Sequence, residues 1–346
     1  MRRAALLTVL LALLAAAGAA VYGHLALSSP AGPAGATRVV EVPPGRPFAA
    51  VARDLEAAGV VRDGRLLAWY ARLSGAAGRV KAGEYEFPSD ASARDVLRRL
   101  VRGEVRQHQV TIPEGWTVRE IAALLAAERL VDADAFLARA EDPAFARSLG
   151  VPADRLEGYL FPDTYRFVRG LSPDQILRAM VAQYRANVSA ELLAEAEAQG
   201  FSEHELVTLA SIVEKETGLP HERPLVAAVF RNRLKRRMPL QSDPTVIYGI
   251  QDFDGNIRKT DLLTWTPYNT YRIRGLPPGP IANPGRAALE ATVRPAPVPY
   301  LYFVSRNDGT HVFATTLAEH ERNVDRYQRR RAAERRSPPR HGRALR

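Results

Sequence analysis

Hydrophobic and polar positions divide the chain into stretches with different periods. The first is a solid apolar run. After Met1-Arg-Arg, residues 4–23 carry no charge, and none returns until Arg38. Twenty helical residues span roughly 30 Å, the thickness of a bilayer core, so a transmembrane anchor is predicted over 1–27. Two arginines before the run and none just after it favour a cytoplasmic N-terminus with the body exported. A cleaved signal peptide is the alternative, because residues 15–20 offer small-residue cleavage sites; the length of the run favours retention. Residues 28–37, SSPAGPAGAT, read as a flexible linker.

Beyond the linker the pattern repeats at an offset of 70. Val42, Pro43, Gly45, Val51, Ala52 and Leu55 correspond to Ile112, Pro113, Gly115, Ile121, Ala122 and Leu125. Alternating residues before the Pro-x-Gly turn predict a strand, and the spacing of positions 48, 51, 52 and 55 predicts a helix. Later blocks match too: Gly83-Glu-Tyr-Glu-Phe-Pro88 with Gly158-Tyr-Leu-Phe-Pro162, and Ser92–Arg98 with Ser172–Arg178. Each copy therefore reads as strand, helix, helix, strand, and the chain as duplicated. This βααβ order is similar to the LysM wall-binding module, with a purely structural spacer as the alternative. The predicted units are 38–104 and 105–155, the second merging into a catalytic domain over 156–327.

Composition narrows the chemistry. There are no cysteines, which excludes disulfides, thiol nucleophiles, lipidation and Cys-ligated metals. The net charge of +10 could suggest nucleic acid. However, residues 328–346 hold eight arginines and one glutamate, and Arg2 and Arg3 add two more charges, which leaves the body nearly neutral. A nucleic-acid binder carries its basic stripe on the folded body. The tail is expected to be disordered.

From residue 156 onward aromatic, Pro and Asn residues cluster in loops, which suits sugar stacking or a packed core equally. Between the loops lies SEHELVTLASIVEKET, residues 202–217. Ser202 and Glu205 form a capping box, and Leu206, Leu209, Ala210 and Val213 form an apolar stripe. Glu214 and Glu216 fall in the last turn, where the helix dipole opposes a negative charge and raises a carboxyl pKa. A general acid needs such a shift. The helical wheel separates the two glutamates only slightly. A Ser211–Lys215 pair would be an alternative nucleophile, but the spacing departs from S-x-x-K.

The run Ala210-Ser-Ile-Val-Glu-Lys-Glu-Thr217 resembles the signature of the MltG, or YceG-like, endolytic murein transglycosylases. So do Val229–Leu234, Leu240–Gly249, Tyr268–Tyr271, Gly275–Ala282 and Pro299–Val304, in the family's order. The resemblance implies an α+β fold: an anchor, LysM-like units, and a catalytic domain of helices with a small antiparallel sheet. It implies that Glu216 is the catalytic acid of a lyase. That lyase would cleave the MurNAc–GlcNAc β-1,4 bond and leave a 1,6-anhydroMurNAc end. Asp243, Tyr248, Tyr268 and Asn269 lie in matched motifs and are the expected substrate-binding residues, although Asp243 before Pro244 could simply set a turn. No metal or cofactor is expected. The expected partners are peptidoglycan strands, membrane lipid through the N-terminal helix and, by resemblance, peptidoglycan synthases. A muramidase-type hydrolase and a non-catalytic wall-binding scaffold are the competing readings.

Overall fold

A computed structural model describes residues 2–250 and 252–329, with side chains from Leu6 onward. The chain forms two units. Among the described residues, the first comprises 2–109 and 166–171, the second 110–165, 172–250 and 252–329. The basic tail lies outside the described residues from position 330.

The first unit begins with α1 (Arg2–Ser28), whose apolar portion Leu6–Ser28 is long enough to cross a membrane. Then come β1 (Thr37–Val42), α2 (Phe48–Ala57), α3 (Gly64–Leu73), β2 (Gly83–Pro88) and α4 (Ala93–Arg102). β1 and β2 pair antiparallel, Val40 opposite Tyr85, so the order strand, helix, helix, strand read from the sequence is present. Val40, Val42, Val51, Leu55, Leu67, Tyr85 and Phe87 close the core. Residues 28–37, expected to be a loose linker, are held instead. Gly32 N bonds Ser89 O at 3.0 Å, and Ser89 N bonds Ala36 O at 2.8 Å.

The second copy starts with β3 (His108–Thr111), α5 (Val118–Ala127), α6 (Ala133–Ala140), α7 (Pro143–Ser148) and β4 (Thr164–Phe167), β3 pairing with β4. α2 and α5 are offset by 70 residues, as the repeat predicts. Gly45 and Gly115 occupy the left-handed region at φ 74° and 75°, which explains the shared Pro-x-Gly turn.

One expectation fails: residues 158–162 are not a strand. Gly158 has φ 91°, and a Cβ there would lie 2.5 Å from the Pro280 ring. The Asn283 side-chain oxygen accepts bonds from Gly158 N and Leu160 N, both at 2.9 Å. That oxygen replaces a strand partner, and the sheet resumes only at Thr164. Gly158→Ala combines a forbidden φ with a clash, so it should cost at least about 2 kcal/mol; a urea midpoint equal to wild type would refute this.

The rest of the second unit is mostly helical: α8 (Pro173–Asn187), α9 (Ala190–Ala198), α10 (Glu203–Glu216), α11 (Arg223–Lys235), α12 (Asp243–Tyr248), α13 (Lys259–Leu263) and α14 (Arg286–Val293). An antiparallel hairpin, β5 (Tyr302–Ser305) and β6 (His311–Ala314), follows, then α15 (Leu317–Val324). Leu209, Ile212 and Val213 of α10 meet Val226 and Phe230 of α11, Leu240, Ile281 and Ala291.

Candidate active site

α10 positions the central residue. Its start is fixed by the predicted capping box: the Ser202 hydroxyl accepts from Glu205 N, and the Glu205 carboxylate accepts from Ser202 N at 2.9 Å. Every residue from Leu206 to Val213 is buried, so the helix is sheathed all round and not only along the predicted stripe. The two ends emerge, Glu203–Glu205 at the start and Glu214–Glu216 in the last turn.

Glu216 is partly exposed, while its carboxyl group sits under protein atoms. Oε1 accepts a 2.5 Å bond from Ser242 Oγ. Burial pushes Glu216 up to about 7; the Ser242 bond opposes the shift, the Asp243 charge adds to it, and Arg233 opposes it. The negative end of the α10 dipole acts in the same direction as burial.

Ser242 is placed by a buried scaffold. Arg233 Nε donates to Leu301 O at 2.7 Å and Nη1 to Leu240 O at 2.8 Å, which pins the loop before α12. Gln241 turns at φ 49° and bonds Thr270 O through its N–H. Ser242 N donates to Thr270 Oγ1 at 2.9 Å, and Thr245 Oγ1 donates to Ser242 O at 2.6 Å. Ser242→Ala removes a donor that stabilises the charged carboxylate, so the Glu216 pKa should rise by about one to two units, a charged hydrogen bond being worth about 1.5–3 kcal/mol. The alkaline limb of the kcat/KM profile should move up accordingly; a limb that stays or moves down would count against this arrangement.

Glu214 is also raised, chiefly by burial. Its oxygens are committed elsewhere. Oε1 accepts from Arg223 Nη2 at 3.0 Å and Oε2 from Gly285 N at 2.9 Å. Arg223 also reaches Glu114 at 3.1 Å. Glu214 is therefore part of a brace between α10, α11 and the start of α14, whereas among the described residues Glu216 bonds the Ser242 hydroxyl. The Ser–Lys alternative is removed outright. Ser211 is fully buried, donates to Thr208 O and accepts from Ile281 N, while Lys215 reaches Gly115 O.

A second carboxylate, which the sequence reading did not single out, lies nearby in the fold. Glu157 is buried, and burial pushes it up to about 7 against bonds from Val118 N and Tyr248. It accepts from Val118 N at 3.1 Å, Asn283 Nδ2 at 3.1 Å and Tyr248 OH at 3.2 Å. Its signal was a charged residue set in the apolar segment LEGYLFP.

Glu157 lines a cavity of about 840 Å³ together with Arg119, Glu120, Arg155, Tyr248 and Tyr268. That size suits an extended organic ligand. Glu216 itself is not in the lining, but its neighbours Lys215 and Pro244 are. Tyr248 and Tyr268, both expected to bind substrate, stand with ring centroids 4.8 Å apart on this wall. Asp243 lies on the Glu216 side; its Oδ1 accepts from Tyr271 OH at 2.7 Å. Asn269 differs from expectation. It is buried, and its Nδ2 donates towards Asp261 O, Leu262 O and Thr264 O while Oδ1 accepts from Tyr271 N. Its amide N–H groups are taken up by the loop's own carbonyls, so Asn269 organises the 261–271 loop. Asn269→Ala would strand those partners and should cost about 1–3 kcal/mol, read as a lowered melting temperature.

A model of the YceG-like family matches residues 40–326. The chain belongs to this family. A Bacillus subtilis (strain 168) protein named endolytic murein transglycosylase is 33% identical over 326 residues, 90% of each chain. A Streptococcus pneumoniae (strain D39) protein of the same name is 32% identical over 317 residues, covering 82% of this chain and 57% of that longer relative. The crystal structure of a yceG-like protein from Listeria monocytogenes is 32% identical, with a TM-score of 0.58 over 83% of this chain and 99% of that one. In this chain the second glutamate of E-K-E-T, Glu216, stands on the last turn of α10.

Proposed function

We propose that this chain is a membrane-anchored endolytic murein transglycosylase with Glu216 as its catalytic acid. The observation that carries the assignment is the Glu216 carboxyl: buried, pushed up to about 7, and bonded by the Ser242 hydroxyl beside a large aromatic-walled cavity. The relatives' names supply the substrate class, and the cavity is the surface on which a glycan strand would lie.

In this reading protonated Glu216 gives its proton to the glycosidic oxygen between MurNAc and GlcNAc as the bond to C1 breaks. The 2-acetamido group of MurNAc stabilises the positive charge at C1. Ionised Glu216 then takes the proton of the MurNAc C6 hydroxyl, whose oxygen closes on C1. The product is a 1,6-anhydroMurNAc end, and no water is consumed. Ordinary glycosidases need a carboxylate on each side of the bond; here one group serves both transfers. Ser242 bonds Glu216 Oε1 and softens the rise in its pKa, which favours the anion. α1 would anchor the enzyme with its body outside the cytoplasm, and the βααβ unit β1–α2–α3–β2 would act as a LysM-like wall contact.

Mass spectrometry of glycan strands digested by the full-length protein tests the reaction. Dehydrated 1,6-anhydro ends are expected, and reducing MurNAc ends in their place would instead make it a hydrolase.

A further inference from the structure

The outer end of α1 is built into the first unit. Leu27 belongs to that unit's hydrophobic core. His24 Nδ1 lies 3.3 Å from Arg94 Nη2 of α4. Tyr22, Leu25, Ala26 and Ser29 face Arg62, Asp63 and Arg65, with Glu56, across a shallow cavity of about 560 Å³ at the start of α3. If α1 spans a bilayer, about twenty residues from position 4 fill its hydrocarbon. Tyr22 and His24 then stand at the outer interface, and the start of α3 stands at headgroup height.

From there a stripe runs along α3. Arg65, Trp69 and Leu73 follow at intervals of four, one face of a helix, while Leu67 and Ala71 on the opposite side are buried. Trp69 is 64% exposed and Leu73 67% exposed, and on one face of the helix they form an apolar patch. Arg62 precedes the stripe and Arg72 flanks it, and α3 contains no acidic residue. Of the two acids beside the cavity, Asp63 is turned into the N-cap of α3, bonding Leu66 N at 2.8 Å, and Glu56 is the other. An exposed tryptophan with arginines on both sides is the composition that settles at a membrane interface, ring among the headgroups and cations on phosphates.

We infer that the exposed face of α3 lies on the bilayer that α1 crosses, with Trp69 and Leu73 in the headgroup layer and Arg62, Arg65 and Arg72 against anionic lipid phosphates. The inference rests on the anchor reading given above. Its consequence is that the first unit lies on the membrane surface through two contacts, the helix and this face.

The chain has no cysteine, so Leu73→Cys offers a single labelling site for an environment-sensitive fluorophore. The labelled full-length protein is placed in phosphatidylcholine nanodiscs with and without phosphatidylglycerol. In the anionic discs emission should shift to the blue, headgroup-level spin-labelled lipid should quench it, and iodide quenching should fall about threefold. Reversing Arg62, Arg65 and Arg72 to glutamate in the labelled protein should restore the iodide access seen without anionic lipid. A label equally open to iodide in both discs, on protein that co-purifies with them, overturns the surface contact and leaves the anchor standing. Protein that fails to co-purify with the discs overturns the anchor and this contact together.

Discussion

Glu216→Gln should keep its fold and lose glycan cleavage by about 10²–10⁴-fold, the usual contribution of a positioned general acid. Glutamine can still accept from Ser242 Oγ, so local geometry persists, but it has no proton to give to the leaving oxygen. The same substitution has a second, opposite signature in stability. An unfolded glutamate loses its proton near 4.5, whereas native Glu216 holds it to about 7. As pH rises through that interval the unfolded chain binds fewer protons than the folded one, so native stability falls; above 7 both forms are ionised and the deficit is constant. Glu216→Gln carries no such deficit. Relative to wild type it should gain on the order of 2 kcal/mol between pH 5 and pH 8, at about 1.4 kcal/mol per pKa unit. Urea midpoints of both proteins at the two pH values measure this, and a constant difference would mean that the carboxyl is not raised. Glu214→Gln separates the two glutamates. It weakens the brace to Arg223 and Gly285 and should lower stability more than it lowers turnover per folded molecule.

The second large effect is expected at Glu157. Glu157→Leu removes the acceptor for Val118 N, Asn283 Nδ2 and Tyr248 OH together. A buried donor left unpaired costs about 1–3 kcal/mol; Val118 N and Asn283 Nδ2 are buried and Tyr248 OH is part-buried on the cavity wall, so the change is about 2–6 kcal/mol. Val118 starts α5, Asn283 holds the 158–160 turn, and Tyr248 forms the cavity wall, so the loss reaches each side of the cavity. Thermal unfolding should shift down by many degrees, and activity should be lost with the fold. Glu157→Gln keeps an acceptor oxygen but turns an amide N–H towards a donor, and should fall between. A Glu157→Leu protein as stable as wild type would mean that these three bonds do not form.

The local patterns were legible where they depend on neighbours in sequence. The α10 capping box, the twin Pro-x-Gly turns and the 70-residue offset between α2 and α5 all follow from short-range periodicity and backbone chemistry. What stayed hidden depends on contacts between distant segments. The E-K-E-T resemblance singles out Glu216, but the contacts that distinguish the two glutamates were not legible: Arg223 and Gly285 bond Glu214, and Ser242 bonds Glu216. Glu157 looked like one charge in an apolar run until Val118, Asn283 and Tyr248 were brought around it. Asn269 looked like a groove residue because of its motif, and three carbonyls of its own loop take its amide. Residues 158–162 resembled their strand counterpart 83–88, but a long-range side chain, Asn283, supplies the bonds that a neighbouring strand gives in the first copy.

The most direct test of Glu216 as the acid is the pH dependence of kcat/KM for glycan cleavage by the full-length wild-type protein. A group that must be protonated in the free enzyme and titrates at about 7 makes the rate fall tenfold per pH unit above that value. The account predicts an alkaline limb at about 7 in wild type that moves upward in Ser242→Ala. A rate that keeps its plateau well beyond pH 8, or an alkaline limb that Ser242→Ala leaves in place, would contradict it.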